Sequence, residues 1–340
     1  MRRANAKETN MNRRALVAAA ATLAGANLIA PARAADALKV VAFAGASNWP
    51  FWACQQEGYF TKENLDVSLA FTPNSIELAK NMMAGVYDLA LSSVDNVVAY
   101  NESQGEVDLG GPSDFVALFG VDNGLLSVMA APDVADIKAL KGQTLSVDAM
   151  VTGFSFVLRE VLARNGLTEN DVTFVKAGGG AQRLEALLKN EQKATLLNTP
   201  LDLVAEARGY KRLLRVRDML GAYQGIVAMA RRGTVKDKNA ALRGFTRAFK
   251  AGVNWIADPA NKEKAIALLM AKMNGMPRPA AEKAYDRLLD PTEGIYRDLR
   301  IDRAGLKAVL ELRTKYAQPR KELTDVERYI DAGFLEAALK

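Results

Sequence analysis

Between residues 38 and 230, short β-like runs take turns with segments of helical periodicity, and this alternation leaves few folds open to the chain. Strand-like runs at 38–44, 66–71, 88–91, 115–120, 126–130, 144–147, 172–175, 194–197, 212–216 and 226–230 are separated by helical stretches. The helices fall at 50–59, 75–84, 94–101, 154–165, 181–188 and 201–208, several closed by Gly58, Gly85, Gly166 or Gly209. Strands that alternate with helices build parallel sheets covered on both faces. Beyond Lys236 the pattern turns helical, at 238–257, 261–273, 279–289, 303–317 and 325–337, punctuated by Pro259, Pro277 and Pro291. No linker, low-complexity tract or fixed-period repeat divides the chain. Residues 35–340 are nevertheless long for a single core, so two lobes are expected. With no linker between them, the chain should cross from one to the other more than once.

The N-terminus reads as an address. Arg13-Arg14 precede an uncharged run from Ala15 to Ile29, followed by Pro31-Ala32-Arg33-Ala34. A basic region, a short apolar region and an A-x-A ending make a secretory signal peptide over 1–34, cut after Ala34. The run is shorter than the ~20 apolar residues that a membrane span needs, and Gly25, Asn27 and Pro31 interrupt it. Asn12-Arg13-Arg14-Ala15-Leu16-Val17 resembles a twin-arginine signal, with Asn12 in place of the usual Ser or Thr. Met11 is an alternative start, because the residues before it are polar for a signal. Six of the 45 basic residues and one of the 39 acidic residues lie in 1–34, which leaves 39 and 38 in the expected mature chain. A nearly neutral body gives no support to nucleic-acid binding.

Histidine is absent and Cys54 is the only cysteine. That removes Ser-His-Asp and Cys-His catalysis, histidine-ligated zinc, and any intramolecular disulfide. No calcium loop of D-x-D-x-D-G type is present. Gly178-Gly179-Gly180 lacks the Gly-Lys-Ser/Thr of a phosphate loop. No metal and no cofactor is therefore expected. Cys54 does not follow the signal as a lipid-anchored cysteine would, and it reads as a small buried hydrophobe.

In open α/β sheets, ligands bind beyond the carboxyl ends of strands, where helix N-termini offer free N–H groups. Those turns hold Ser47, Asn48, Trp49 and Pro50, then Ser92, Ser93, Asp95 and Asn96. Later turns hold 148–153 with Thr152 and Gly153, then Gly178-Gly179-Gly180, then Asn198, Thr199 and Pro200. Small hydroxyl, amide and glycine residues dominate, which suits capture of a ligand by backbone and short polar groups. Each one, taken singly, also serves as a helix cap. Trp49, Phe51 and Trp52 crowd the first turn, where an aromatic at the tip can stack on a ligand and at least one belongs to the core. Tyr223-Gln224 stands where the chain should cross back between lobes, and reads equally as a polar corner or a ligand contact.

Three passages carry a resemblance. Gly58-Tyr59-Phe60 followed by Asn64-Leu65-Asp66-Val67 resembles the "G-x-F-x-x-x-G-L-D-V" stretch of the nitrate/sulfonate/taurine substrate-binding proteins of ABC importers. Ala84-Gly85-Val86-Tyr87-Asp88-Leu89-Ala90 resembles their "A-G-x-x-D-x-A", and 140–147 resembles their "L-K-G-K-x-x-x-V". The ordered set spans most of 38–230, and the helical tail is similar only in character. Asn64 replaces the usual glycine at a turn that asparagine tolerates. The resemblance implies a type II periplasmic binding-protein fold: two doubly wound α/β lobes around a ligand cleft, with a helical C-terminal part. Lobe one is expected at 36–123 plus 226–340 and lobe two at 124–225. The implied pocket residues are Ser47, Asn48, Trp49, Ser92, Ser93, Thr152, Gly153, Asn198 and Tyr223. The implied partners are a small-molecule ligand and an inner-membrane ABC permease, with the protein itself periplasmic and monomeric.

Two other readings follow from the same fold. An exported ligand-sensing domain shares every feature above. An enzyme related to the thiamine-pyrimidine synthases would use an active-site histidine and a cysteine-rich stretch, and this chain has neither. For the ligand, helix N-termini and hydroxyls point to a carboxylate or sulfonate head group. Trp49 and Phe154 suggest an aliphatic or aromatic body, Arg183 stands near enough to reach in, and nitrogenous solutes stay open.

Overall fold

Strand β1 (Asp36–Ala42) founds the first sheet because Leu38, Val40, Val41 and Ala42 all need apolar cover, and each is at most 1% exposed. The computed structural model describes residues 34–273 and 275–340. The signal peptide expected at 1–34, with its twin-arginine pair, lies outside the described residues except for Ala34. Residues 35–340 form one compact unit.

Among the described residues, ten strands make two five-stranded sheets. After β1 come β2 (Leu65–Phe71), β3 (Leu89–Ser93), β4 (Phe115–Gly120), β5 (Leu126–Ala130), β6 (Thr144–Val147), β7 (Thr173–Lys176), β8 (Ala194–Asn198), β9 (Lys211–Arg215) and β10 (Ile226–Arg231). The first sheet runs β2-β1-β3-β10-β4 and the second β7-β6-β8-β5-β9. The chain leaves the first sheet after β4, builds the second, and returns as β10. In the first sheet β1 lies parallel to β2 and β3, with Val40 opposite Leu89. β10 runs antiparallel to β3 and β4 and bulges between Ala228 and Met229. In the second sheet β6 lies parallel to β7 and β8, while β5 runs antiparallel to β8 and β9. Both sheets are therefore mixed, where alternation alone predicts parallel ones. The antiparallel members are the strands that carry the chain across, since each enters its sheet from the other one.

Local chemistry explains the turns and caps. Asn64 takes φ 55° between helix Tyr59–Lys62 and β2, the left-handed conformation that asparagine accepts more readily than most residues. Asn74 caps helix Ser75–Met83 by accepting from the Glu77 N–H at 2.9 Å. The long amphipathic helix Asn239–Ala257 covers the first sheet. Its Phe245 and Phe249 join Phe51, Phe60 and Phe119, with Phe60 and Phe245 ring centroids 5.4 Å apart. Gly252 lets this helix close on helix Trp49–Gln56, because a Cβ there would meet the Pro50 carbonyl oxygen at 2.4 Å and Cys54 Sγ at 2.6 Å. Cys54 is buried against that contact and donates to the Ala248 carbonyl, and burial pushes its thiol pKa far up.

The C-terminal helices reach both sheets. Helix Arg303–Tyr316 packs on helix Gly153–Arg164, which follows β6, and on helix Val94–Asn101, which follows β3. The single helix predicted at 325–337 is instead a short turn at Glu327–Tyr329 and helix Phe334–Leu339. Between them Ile330 bridges to Ala117 of β4 and the Asp331 N–H bonds to the Ala117 carbonyl, so strand pairing outweighs helix propensity. No helix among the described residues is long and apolar enough to cross a membrane.

Candidate functional site

The two sheets point the carboxyl ends of β1, β3, β6, β7 and β8 at one another, and the turns after them enclose a cavity. The first-sheet wall is Phe43, Ala44, Gly45, Ser47 and Asn48 after β1, and Ser93, Asp95 and Asn96 after β3, with Ser75 beside them. The opposite wall is Asp148, Thr152, Gly153 and Phe154 after β6, Gly179, Gly180 and Arg183 after β7, and Asn198 at the end of β8. The cavity measures about 70 Å³. One ordered water needs ~10–15 Å³ on the same measure, so only a handful of heavy atoms fits.

The bodies on either side touch directly. Ser75 Oγ donates to Asp148 Oδ2 at 2.5 Å, and the Gly179 N–H donates to the Pro73 carbonyl at 2.9 Å. The Gly153 N–H donates to Asp95 Oδ2 at 2.6 Å, and a Cβ at Gly153 would lie 2.5 Å from Asp95 Cγ. Only glycine lets the turn after β6 come that close. Asp95 is in turn fixed by Arg313, whose Nε donates to Oδ1 at 2.6 Å and Nη2 to Oδ2 at 3.0 Å, with both side chains about 1% exposed. The same Nη2 donates to the Val151 carbonyl at 2.9 Å, and Nη1 reaches Gln104. One arginine from the C-terminal helix thus joins the turn after β3 to the turn after β6. Glu106 adds a second tie, accepting from the Val151 N–H at 3.0 Å and pairing with Lys176.

Inside the cavity the polar groups differ in how well they are satisfied. Asn48, 1% exposed, donates from Nδ2 to the Phe43 and Gly45 carbonyls at 2.7 and 2.9 Å. Its Oδ1 is buried without a protein partner. Asp148 Oδ1 is likewise buried and unpartnered. Burial pushes the Asp148 carboxyl above the usual carboxylate range, against the opposing pull of the Arg183 charge and the Ser75 hydroxyl. A buried acceptor with nothing to accept costs about 1–3 kcal/mol. Arg183, 3% exposed, spends Nε on the Leu196 carbonyl and Nη1 on the Gly178 carbonyl. Among the described residues nothing accepts from its Nη2, which lies near Gly180 in the cavity wall. Burial lowers the pKa of this guanidinium while Asp148 raises it.

Of the nine residues chosen from sequence, Ser47, Asn48, Ser93, Thr152, Gly153 and Asn198 come together on this cavity. Ser47 also donates to Asp122 Oδ2 at 2.6 Å, and burial raises the Asp122 carboxyl. Thr152 donates to the Ala149 carbonyl, and Ser93 accepts from the Asp95 N–H as a helix cap. The other three stand elsewhere. Trp49 is 0% exposed in the core, edge-on to Tyr285, with its indole N–H on the Ala265 carbonyl at 3.1 Å. Ser92 is fully buried behind the wall, where it accepts from Asn96 Nδ2 at 2.8 Å and so sets that side chain. Tyr223 lines a separate cavity of about 320 Å³ beside Asn123, Arg217, Arg287 and Tyr296, and it meets the wall of the site at Phe154, with ring centroids 6.4 Å apart.

Asp95, Asn96 and Asp148 lie in turns that the sequence singles out, yet nothing local marks them above their neighbours. Ser75 opens a helix after β2 and looks like a cap. Arg183 sits one turn inside a helix, and Arg313 is 218 residues from the carboxylate it holds. No group of three or more Cys, Asp or Glu among the described residues is placed to hold a metal ion.

This architecture recurs among solved structures. A protein from Bordetella bronchiseptica RB50 superposes with a TM-score of 0.74 at 18% identity, covering 89% of this chain and 96% of that one. The periplasmic aliphatic sulphonate binding protein SsuA from Escherichia coli gives 0.65 at 16% identity, over 88% of this chain and 99% of its own. The periplasmic nitrate-binding protein NrtA from Synechocystis PCC 6803 gives 0.67 at 14%, over 83% and 80%. The fold is that of the periplasmic binding proteins, as the sequence resemblance implies. No curated protein matches the chain in sequence. The profile described as "NMT1/THI5 like" matches residues 47–262, which include the cavity wall from Ser47 onward, and the chain belongs to that family.

Proposed function

We propose that this chain is an exported, periplasmic solute-binding protein that closes on a small organic solute and delivers it to an inner-membrane ABC permease. In this reading it works as a monomer of two lobes, 36–123 plus 226–340 and 124–225, with the helical C-terminal part braced across both. The carrying observation is that strand-end turns from both sheets converge on one small cavity while the segments flanking it bond directly to each other. Lobe closure is the working motion, and a permease that reads the closed form would recognise the loaded protein. The solved neighbours named above as sulphonate- and nitrate-binding support the same reading at the level of the fold.

The enzyme reading finds no support in the cavity wall, which holds no histidine and no cysteine; Cys54 is buried in the core, away from it. A ligand-sensing domain would use the same cavity, and only loss of uptake in a deletion strain separates it from transport.

The test is a solute panel read by thermal unfolding and small-angle scattering. A true ligand in excess raises the unfolding temperature by mass action and shrinks the radius of gyration. Mass spectrometry of small molecules released from the freshly purified, denatured protein names the candidate. A broad panel giving neither stabilisation nor closure, with nothing released on denaturation, would sink the proposal.

A further inference from the structure

We propose that the cavity selects a small solute of no net charge that carries an N–H donor as well as an acceptor, the donor facing Asp148 and Asn48 and the acceptor facing Arg183. This inference rests on the solute-binding reading above and names the class of solute.

The Asn48 amide has a fixed orientation. Its nitrogen donates to two backbone carbonyls, Phe43 and Gly45, and a flip would set Oδ1 against two carbonyl oxygens. The free end of this buried side chain is therefore an acceptor. Asp148 presents a second acceptor, because Ser75 occupies only Oδ2 and Oδ1 accepts nothing. Both side chains line the same cavity. Groups of that kind are served by N–H donors on the solute and by nothing that nitrate or a simple alkanesulfonate offers, since those carry acceptors only.

The charges agree. Asp95 is neutralised by its two bonds from Arg313. What remains in the wall is one carboxylate, Asp148, and one guanidinium, Arg183, with its Nη2 near Gly180. An anion drawn to Arg183 meets Asp148 across a space of about 70 Å³. A zwitterion or a neutral amide satisfies both ends, and uncompensated charge among side chains as buried as Asn48 and Arg183 is disfavoured. The carboxylate or sulfonate expected from sequence is thereby narrowed to one balanced by an amine, with neutral amides beside it.

The test uses five probes sized for the cavity: propionate, β-alanine and propionamide as a matched series, with ethanesulfonate and nitrate as acceptor-only controls. Binding to the full chain is measured by titration calorimetry. β-Alanine or propionamide should bind at least tenfold tighter than propionate, ethanesulfonate and nitrate. Asp148→Asn should reduce that preference at least fivefold, while its unfolding temperature without solute stays at or above that of the parent. Tightest binding of an acceptor-only probe overturns the inference and leaves the solute-binding reading standing. A preference unchanged by Asp148→Asn also overturns it. Failure of all five probes overturns this class of solute, and the broader panel with its closure measurement then decides the function separately.

Discussion

Gly153→Ala tests whether the turn after β6 docks on Asp95 as the cavity closes. The added Cβ would stand 2.5 Å from Asp95 Cγ and 2.6 Å from Asp95 Cβ. Asp95 cannot rotate away, because Arg313 grips both of its oxygens at 2.6 and 3.0 Å in a fully buried pair. The turn must therefore retreat and lose the 2.6 Å bond from the Gly153 N–H, or stay and absorb the clash. Losing a hydrogen bond to a charged group costs about 1.5–3 kcal/mol. Overpacking a tight contact by one carbon costs about 1–3 kcal/mol. The chain takes the cheaper route, so about 1–3 kcal/mol is lost from the closed form, or roughly a 5- to 150-fold loss of affinity. Residue 153 opens a helix after Thr152 and needs no left-handed backbone, so alanine is compatible with the separated turn. The assay is calorimetric titration of parent and variant with the solute that the panel identifies, paired with small-angle scattering at saturation. The variant should bind weakly and stay expanded at solute levels that compact the parent. Parent-like affinity together with parent-like compaction would refute the docking argument.

Three further outcomes follow from the same geometry. Because burial raises the Asp148 carboxyl, its protonation begins above the ordinary aspartate range, and affinity for an amine- or amide-bearing solute should fall with pH there, as titrations in stepped buffers would show; the charges facing it are Arg183, Ser75 being neutral, with Glu106 as a further carboxylate nearby. Burial pushes Glu160 up, but bonds from Lys315, Tyr316 and Arg164 outweigh it and carry its pKa down to about 2. A depressed carboxylate contributes stability that is present above its unfolded value of 4.5 and lost as pH falls toward about 2. Discounted for the exposed Lys315, Glu160→Gln should cost about 1–2 kcal/mol in urea unfolding at pH 7 and less at pH 3. Trp49→Ala should destabilise the fold by about 3–5 kcal/mol, since it empties a core site, while the protein that stays folded keeps its solute affinity; an affinity loss without destabilisation would return Trp49 to the site.

What could be read from the sequence was whatever is set locally. Strand and helix periods come from burial on one face, so the runs at 94–101, 115–120, 126–130 and 144–147 coincide with the elements formed there. Strand direction is not local: β5 and β10 read like their neighbours and differ only in where the chain comes from, which is why mixed sheets looked parallel. The turns were legible as polar strand ends, and six of the residues chosen there meet at one cavity because the fold aims all such ends the same way. Trp49 illustrates the limit. An aromatic at the first residue of a helix looks the same whether its ring faces a ligand or a core. The deciding contact, its indole N–H on Ala265, lies 216 residues away in a helix whose docking partner has no mark in the sequence. The same holds for Arg313, which looks like any arginine in the last turn of an amphipathic helix. Its role exists only once helix Arg303–Tyr316 packs on the helices that follow β3 and β6 and brings a guanidinium to a buried carboxylate. Local chemistry thus supplies the groups around the cavity, and long-range packing decides which of them are free. Asn48 and Asp148 are the pair for which that difference carries the most chemistry. Both were ordinary polar turn residues in the sequence, and each becomes informative because the fold occupies one end of its side chain and leaves the other unoccupied.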